Sequence, residues 1–275
     1  MFRHLKRAVS IATVAGAATL MYAYANANEI VPTYYFIDSS RISRDYSILY
    51  VSDIHYGHVQ RKESAMRAIE ELHNLDMDLL IIGGDVVMEG VSREDMRDVF
   101  EALGKVPVNI GRYYVYGNHD RPNNNGGYMY TGSELKSVIE ANNITILEDS
   151  GKVVNDELLI LGRKEMDFPY GHFEDIQDIS DVPVSDYYTI VADHIPCDQE
   201  INAMIGADLQ LSGHTHRGQI FPGSLAVSAV IGQAYGMKDY GRMKSIVSSG
   251  FGVGRVPFRT EGHCEYVVIS LKSTK

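Results

Sequence analysis

Five short polar clusters follow apolar runs along this chain, and each reads as the open end of a buried strand. They are Asp53-Ile54-His55, Gly84-Asp85, Gly117-Asn118-His119-Asp120, Asp193-His194 and Gly213-His214-Thr215-His216. The first closes the run Tyr46-Ser47-Ile48-Leu49-Tyr50-Val51. A strand ending in Asp-x-His would put both side chains on one face, because strand side chains alternate with period two. Together the clusters supply Asp, His, Asp, Asn, His, His and His, a mixed oxygen and nitrogen donor set suited to a two-metal hydrolytic centre.

The remaining pattern is that of one α/β domain. Strands are expected at 45–51, 78–82, 112–116, 144–147, 152–154, 158–161, 187–192, 224–230, 243–248 and 266–271, with a run at 208–211 leading into the last cluster. Helices are expected at 62–74, 92–103, 133–142 and 198–205, the second opened by Ser92 as N-cap with Asp95 three residues on. A chain of 275 residues is long enough to bury a sizeable core. No boundary is visible from 45 to 275, while 28–44 reads as an irregular tether. Residues 165–183 read as a surface excursion, and 123–127, rich in Asn and Gly, as an inert loop or a flap over the substrate.

Residues 1–27 differ from the body. Arg3, Lys6 and Arg7 precede a run without charge from Ala8 to Ala25, followed by the small-residue sequence Ala25-Asn26-Ala27. This is the pattern of a signal peptide or of a single transmembrane signal anchor, with a buried helix of the fold as the alternative. Either export reading keeps the basic end in the cytoplasm and puts the body outside it, at the cell membrane or secreted. The net charge is −11, and because residues 1–27 contribute +3 the body carries −14. So acidic a body repels polyphosphate backbones, and nucleic acid is not an expected partner. The two cysteines, Cys197 and Cys264, are too few for a disulfide framework; they read as isolated thiols or as one bridge.

A two-metal centre polarises phosphate and lowers the pKa of bound water, so the residues left over from ligation become candidates for proton transfer. His119, beside Asn118, is placed to bind the phosphoryl group or protonate the leaving oxygen, and Asp120 to hold its imidazole in the working tautomer. His58, three residues past His55, is expected near the mouth of the site. Arg217, next to His216, is expected to grip a second phosphate or a carboxylate of the substrate, with a solvated surface charge as the alternative.

The ordered set Asp53-x-His55, Gly84-Asp85, Gly117-Asn118-His119-Asp120, His194 and Gly213-His214-x-His216 resembles the calcineurin-like metallophosphoesterase superfamily. The resemblance spans about 45–271 and implies a four-layer α/β/β/α sandwich of two mixed sheets flanked by helices. It also implies how the ligands divide: Asp53, His55 and His216 on one cation, Asn118, His194 and His214 on the other, and Asp85 bridging. Mn, Fe and Zn all suit those donors. The sequences Leu211–Ile220, Ser248–Val253 and Pro257-Phe258-Arg259 look like the bacterial membrane-associated branch, some of whose relatives are phosphodiesterases acting on UDP-diacylglucosamine. Arg217 stands where that branch usually has Gly, and Gly262-His263-Cys264-Glu265 replaces its Pro-rich lead into the last strand. The expectation is a hydrolase of phosphodiester or pyrophosphate bonds in a small or lipid-linked molecule. The alternatives are a monoesterase or nuclease on the same centre, or a binding protein that keeps only the fold.

Overall fold

A computed structural model describes residues 2–122, 127–165, 171–172 and 174–275. The apolar runs form two six-stranded sheets packed face to face. The first holds β1 (Ile30–Ser39), β12 (Cys264–Ser273), β2 (Tyr46–Val51), β3 (Met77–Ile82), β4 (Val108–Tyr114) and β5 (Thr145–Ile146), in that order. The second holds β10 (Gly236–Tyr240), β11 (Met243–Val247), β9 (Leu209–Ser212), β8 (Tyr188–Ala192), β7 (Leu158–Gly162) and β6 (Ser150–Val154). Both sheets are mixed: β2 through β5 run parallel, as do β11, β9, β8 and β7, while β12 is antiparallel to β2 and β6 to β7.

Ile48, Tyr50, Leu79 and Ile81 of the first sheet meet Ile160, Ile190, Leu211 and Ile246 of the second in one buried cluster. The opposite faces of the same strands, Leu49, Leu80 and Ile82 among them, pack under α2 (Lys62–Leu72), α3 (Arg93–Gly104) and α4 (Gly132–Ala141). Strands buried on both faces cannot alternate polar with apolar, which is why these read as continuous apolar runs. On the far side of the second sheet a smaller cluster includes Leu159, Val191 and Met243, with residues of α5 (Gln199–Ile205) against it. The result is the expected α/β/β/α layering. Ser92 caps α3, accepting from Asp95 N at 3.0 Å, and Thr131 caps α4 in a full capping box with Glu134.

Two expectations fail. Residues 28–44 are not an irregular tether: β1 pairs in parallel with β12 from Ile30↔Cys264 to Ser39↔Ser273, so the domain begins well before residue 45. Pro32 obscures this strand, but proline is tolerated on an edge, where its missing N–H costs no ladder bond. Residues 224–230 are not a strand either but lie within helix α6 (Gly223–Ile231). A short apolar run does not distinguish the two by periodicity.

The N-terminal segment forms helix α1 (Phe2–Asn26), whose apolar residues are mostly exposed up to its last turn. Among the described residues no helix is long and apolar enough to cross a membrane. The end of α1 is stitched to the body. Ala23 O accepts from Arg259 N at 2.9 Å, Asn26 donates to Arg259 O and Gly262 O, and Ala27 is buried against Val253 and Cys264. Cys197 and Cys264 are both free.

Candidate metal centre

The metal-type side chains gather where β2, β3 and β4 of the first sheet and β8 and β9 of the second end. Asp53 and His55 follow β2, Asp85 follows β3, Asn118 and His119 follow β4, His194 follows β8, and His214 and His216 follow β9. Parallel strands deliver their C-terminal ends to one side, so residues 53 to 216 meet without a special fold device. The local device is backbone conformation. Asp53, His55, Asp85, His214 and His216 all have left-handed φ, between 46° and 64°. β2 stops at Val51, so it is these turns and not strand alternation that bring Asp53 and His55 together. Non-glycine residues held at positive φ are uncommon and cluster at functional sites.

The turns also press on each other. A Cβ at Gly213 would run into the Asp53 carboxylate, and one at Gly117 into that of Asp85. Glycine at these two positions lets a neighbouring backbone close over each carboxylate. Asp53 then accepts from His214 N at 3.0 and 3.1 Å, and Asp85 accepts from His119 N at 2.7 Å.

Inside this frame the His55 and His216 Nε2 atoms lie 3.1 Å apart, their rings stacked at 5.1 Å. His216 Nε2 is 3.6 Å from Asp53 Oδ1, and Asp85 Oδ2 is 3.2 Å from His194 Nε2 and 3.7 Å from His55 Nε2. His214 Nδ1 lies 2.9 Å from Asn118 Oδ1. Ligand atoms close enough for one ion occur in the groups Asp53–His55–His216 and Asp53–Asp85–His194. Asp85 thus stands between His55 and His194, one from each implied set.

Burial lowers His55 and His216 to about 3 and His214 to about 4, which leaves their lone pairs free to bind metal at neutral pH. His194 is also buried, which lowers it, but the Asp85 carboxylate overcomes that and lifts it to about 10. Facing imidazoles between buried carboxylates are poorly satisfied by hydrogen bonds alone, and the His55 and His216 Nδ1 atoms are buried without a partner. This donor set fits two divalent cations.

Asp120 is buried, but it does not hold His119. Its carboxylate accepts from the backbone N–H groups of Gly117, Asp85, Val86 and Val87 at 2.7 to 3.2 Å, and so clamps the β3 turn to the β4 turn. The partner of His119 is Glu89, with Oε2 3.0 Å from Nδ1. Sequence reading missed Glu89 because a lone acid in Val87-Met88-Glu89-Gly90 carries no motif; the signal available was its place four residues past Asp85.

A cavity of about 310 Å³ opens above the ligands, lined among others by His55, Asp85, His119, His214, His216, Met88, Val227 and Arg255. Arg217 does not line it. Its guanidinium lies over the Tyr235 ring, 4.2 Å from the centroid, in a neighbouring cavity with Glu261 and Lys238. The cation at the pocket is Arg255. His58 is exposed and feels the charges of Glu89, His119 and Arg255, at the flank of the site. Of the expected flap at 123–127, residues 123–126 lie outside the described residues.

Residues 46–218 match the family model of the calcineurin-like phosphoesterases. An uncharacterized metallophosphoesterase of Helicobacter pylori (strain J99) is 28% identical over 80% of this chain and 58% of its own length. This chain therefore spans less than two thirds of that relative. The Bacillus subtilis uncharacterized metallophosphoesterase YkuE is 28% identical over 96% of this chain and 94% of its own length. A zebrafish protein described as a transmembrane protein with a metallophosphoesterase domain is 26% identical over 82% of this chain and 53% of its own.

Proposed function

The chain belongs to the calcineurin-like phosphoesterases, and from that premise we propose that it is a metal-dependent hydrolase of phosphodiester or pyrophosphate bonds in a small or lipid-linked molecule. The observation that carries the reading is the convergence of Asp53, His55, Asp85, His194 and His216 ligand atoms, all within reach of a metal pair, under a cavity that His119 also lines. Two divalent cations bound there would supply Lewis acidity and a nucleophilic water.

The protein's own part is binding and proton handling. Glu89 accepts from His119 Nδ1–H and stabilises the imidazolium, leaving Nε2–H to be given to the leaving oxygen. Arg255 offers a guanidinium to non-bridging phosphate oxygens. Met88 and Val227 form an apolar wall for an organic group, which supports an ester carrying two substituents over a monoester. The body charge of −14 weighs against a nuclease.

The test is hydrolysis of aryl phosphate monoesters and diesters, UDP-linked sugars and glycerophosphodiesters, with Mn, Fe or Zn and with chelator. Turnover of diesters or pyrophosphates that chelator abolishes is expected. Preference for monoesters would overturn the bond class, and no turnover by fully loaded protein would leave a binding protein. The proposal includes export of the body, supported by Arg3, Lys6 and Arg7 ahead of an uncharged run. Protease added to intact protoplasts should digest the body, and protection would place it inside.

A further inference from the structure

Helix α6 buries no residue of its own. It contains Ser, Gly, Ala, Leu, Val and Ile and not one charge. Leu225 and Val230 are 69% and 72% exposed, and Phe221, just before the helix, is 71% exposed. Apart from the strip of Ser224 and Ser228, the helix is apolar around its circumference, a pattern ordinarily found inside a core or in lipid, and this one is in no core of the fold. Val227 of the same helix lines the cavity above the metal-type ligands. The apolar surface therefore forms part of the entrance to the site.

A second apolar element starts from the same place. The loop 258–263 receives the end of α1 through Arg259 and Gly262, and the start of α6 through Thr260 and Glu261. Phe221 N donates to Thr260 Oγ1 at 3.0 Å, and Ser224 N to Glu261 at 3.1 Å. The last turns of α1 carry exposed Tyr22 and Tyr24, with Tyr24 set edge-on against Phe258 of that loop at 6.4 Å. Aromatic side chains with a polar tip favour the depth of lipid headgroups. Their neighbours along α1, Leu20 and Met21, are exposed apolar residues.

We propose that α6, with Phe221, is a lipid-docking surface that lies against a phospholipid bilayer beside the root of α1, so that the metal pocket opens at headgroup depth. An occupant must cover an uncharged helix and a second exposed apolar helix rooted in the same loop, and a bilayer covers both without shape complementarity. Docking deepens the hydrolase reading by specifying an amphiphile whose phosphoester sits at the bilayer surface. That clause rests on the reading; docking itself is tested without turnover.

The chain of 275 residues contains no tryptophan, so a single introduced Trp reports its own site. Leu225→Trp is expected to shift its emission to the blue on addition of vesicles of phosphatidylcholine with phosphatidylglycerol, and to be quenched by lipids brominated in the acyl chain. Phe36→Trp, at a position 73% exposed on β1, is expected to do neither. No shift or quenching at 225 overturns the proposal, as does equal quenching at 36. A blue shift at 225 without vesicles that grows with protein concentration overturns it in favour of a second copy on α6. As a further arm, Phe221→Ser with Leu225→Ser should lose turnover of a vesicle-borne phosphodiester and keep turnover of a soluble aryl diester. Equal turnover of both substrates in that variant, with Leu225→Trp quenched as expected, would retain docking and overturn the amphiphile. Absence of all turnover in the parent protein would overturn the hydrolase reading and leave the fluorescence result standing.

Discussion

Glu89 Oε2 lies 3.0 Å from His119 Nδ1, while the carboxylate next to His119 in sequence, that of Asp120, is spent on backbone N–H groups. Two acids thereby divide the work expected of one.

Loss of Glu89 should therefore impair proton transfer and spare metal content. Glu89→Ala is expected to lower kcat by up to about 10², the lower end of what a positioned general acid contributes, and Glu89→Gln by less. The loss should shrink as the leaving group becomes more acidic. A Brønsted series of aryl diesters, with metal content by elemental analysis, checks it.

Asp120→Ala should act on stability. The carboxylate accepts from four backbone N–H groups, and bonds to a charged partner contribute about 1.5 to 3 kcal/mol each without being additive. A loss of about 3 kcal/mol or more in denaturant unfolding is expected. If stability held and only the leaving-group dependence changed, the clamp would not be its role.

Asp85→Ala should cost more bound metal than His214→Ala, because Asp85 lies within 3.7 Å of both His55 and His194. Elemental analysis of both purified variants decides this, and two retained metals in Asp85→Ala would rule out sharing.

Metal-free protein should be most stable near pH 6.5. Below that, unfolded imidazoles take up protons that folded His55, His214 and His216 refuse until about pH 3 to 4, so stability falls with acid. Above it, the bond of protonated His194 to Asp85 is lost as pH rises through about 10. Metal loading should remove the alkaline decline, since a ligating His194 carries no proton there. Thermal melts of chelated and loaded protein from pH 5 to 10 test both limbs.

Arg217→Gly should leave kcat on a small aryl diester unchanged, because Arg217 faces Tyr235 and not the metal cavity. Its φ of 53° favours Gly, and relief of about 1 kcal/mol offsets a stacking contribution of about 0.5 to 2 kcal/mol. The melting temperature should barely move. A higher KM for a charged multi-phosphate substrate would return Arg217 to the binding surface.

The layering and the metal-type residues were legible because each cluster combines a buried strand with a polar end, and both signals are local. What stayed hidden depends on geometry across the chain. Nothing near Asp120 says that its donors include Asp85, Val86 and Val87 across the chain, and nothing near Arg217 says that a left-handed backbone turns it away from its neighbour's pocket. β1 was hidden by Pro32, and α6 by an apolar run too short to show its period. Both sites of error are exposed, where burial imposes no pattern.

Arg259 donates its backbone N–H to Ala23 O, and its side chain to the backbone oxygens of His216, Ser249 and Gly252. The end of α1 and a residue of the metal centre thus share one arginine. A chain cut after Ala27 would leave the Arg259 N–H without its acceptor, remove Asn26 from the Gly262 carbonyl and open the pocket that Ala27 fills beside Cys264. Loss of residues 1–27 would thus lower the stability of the body and register at His216, through the arginine that both share.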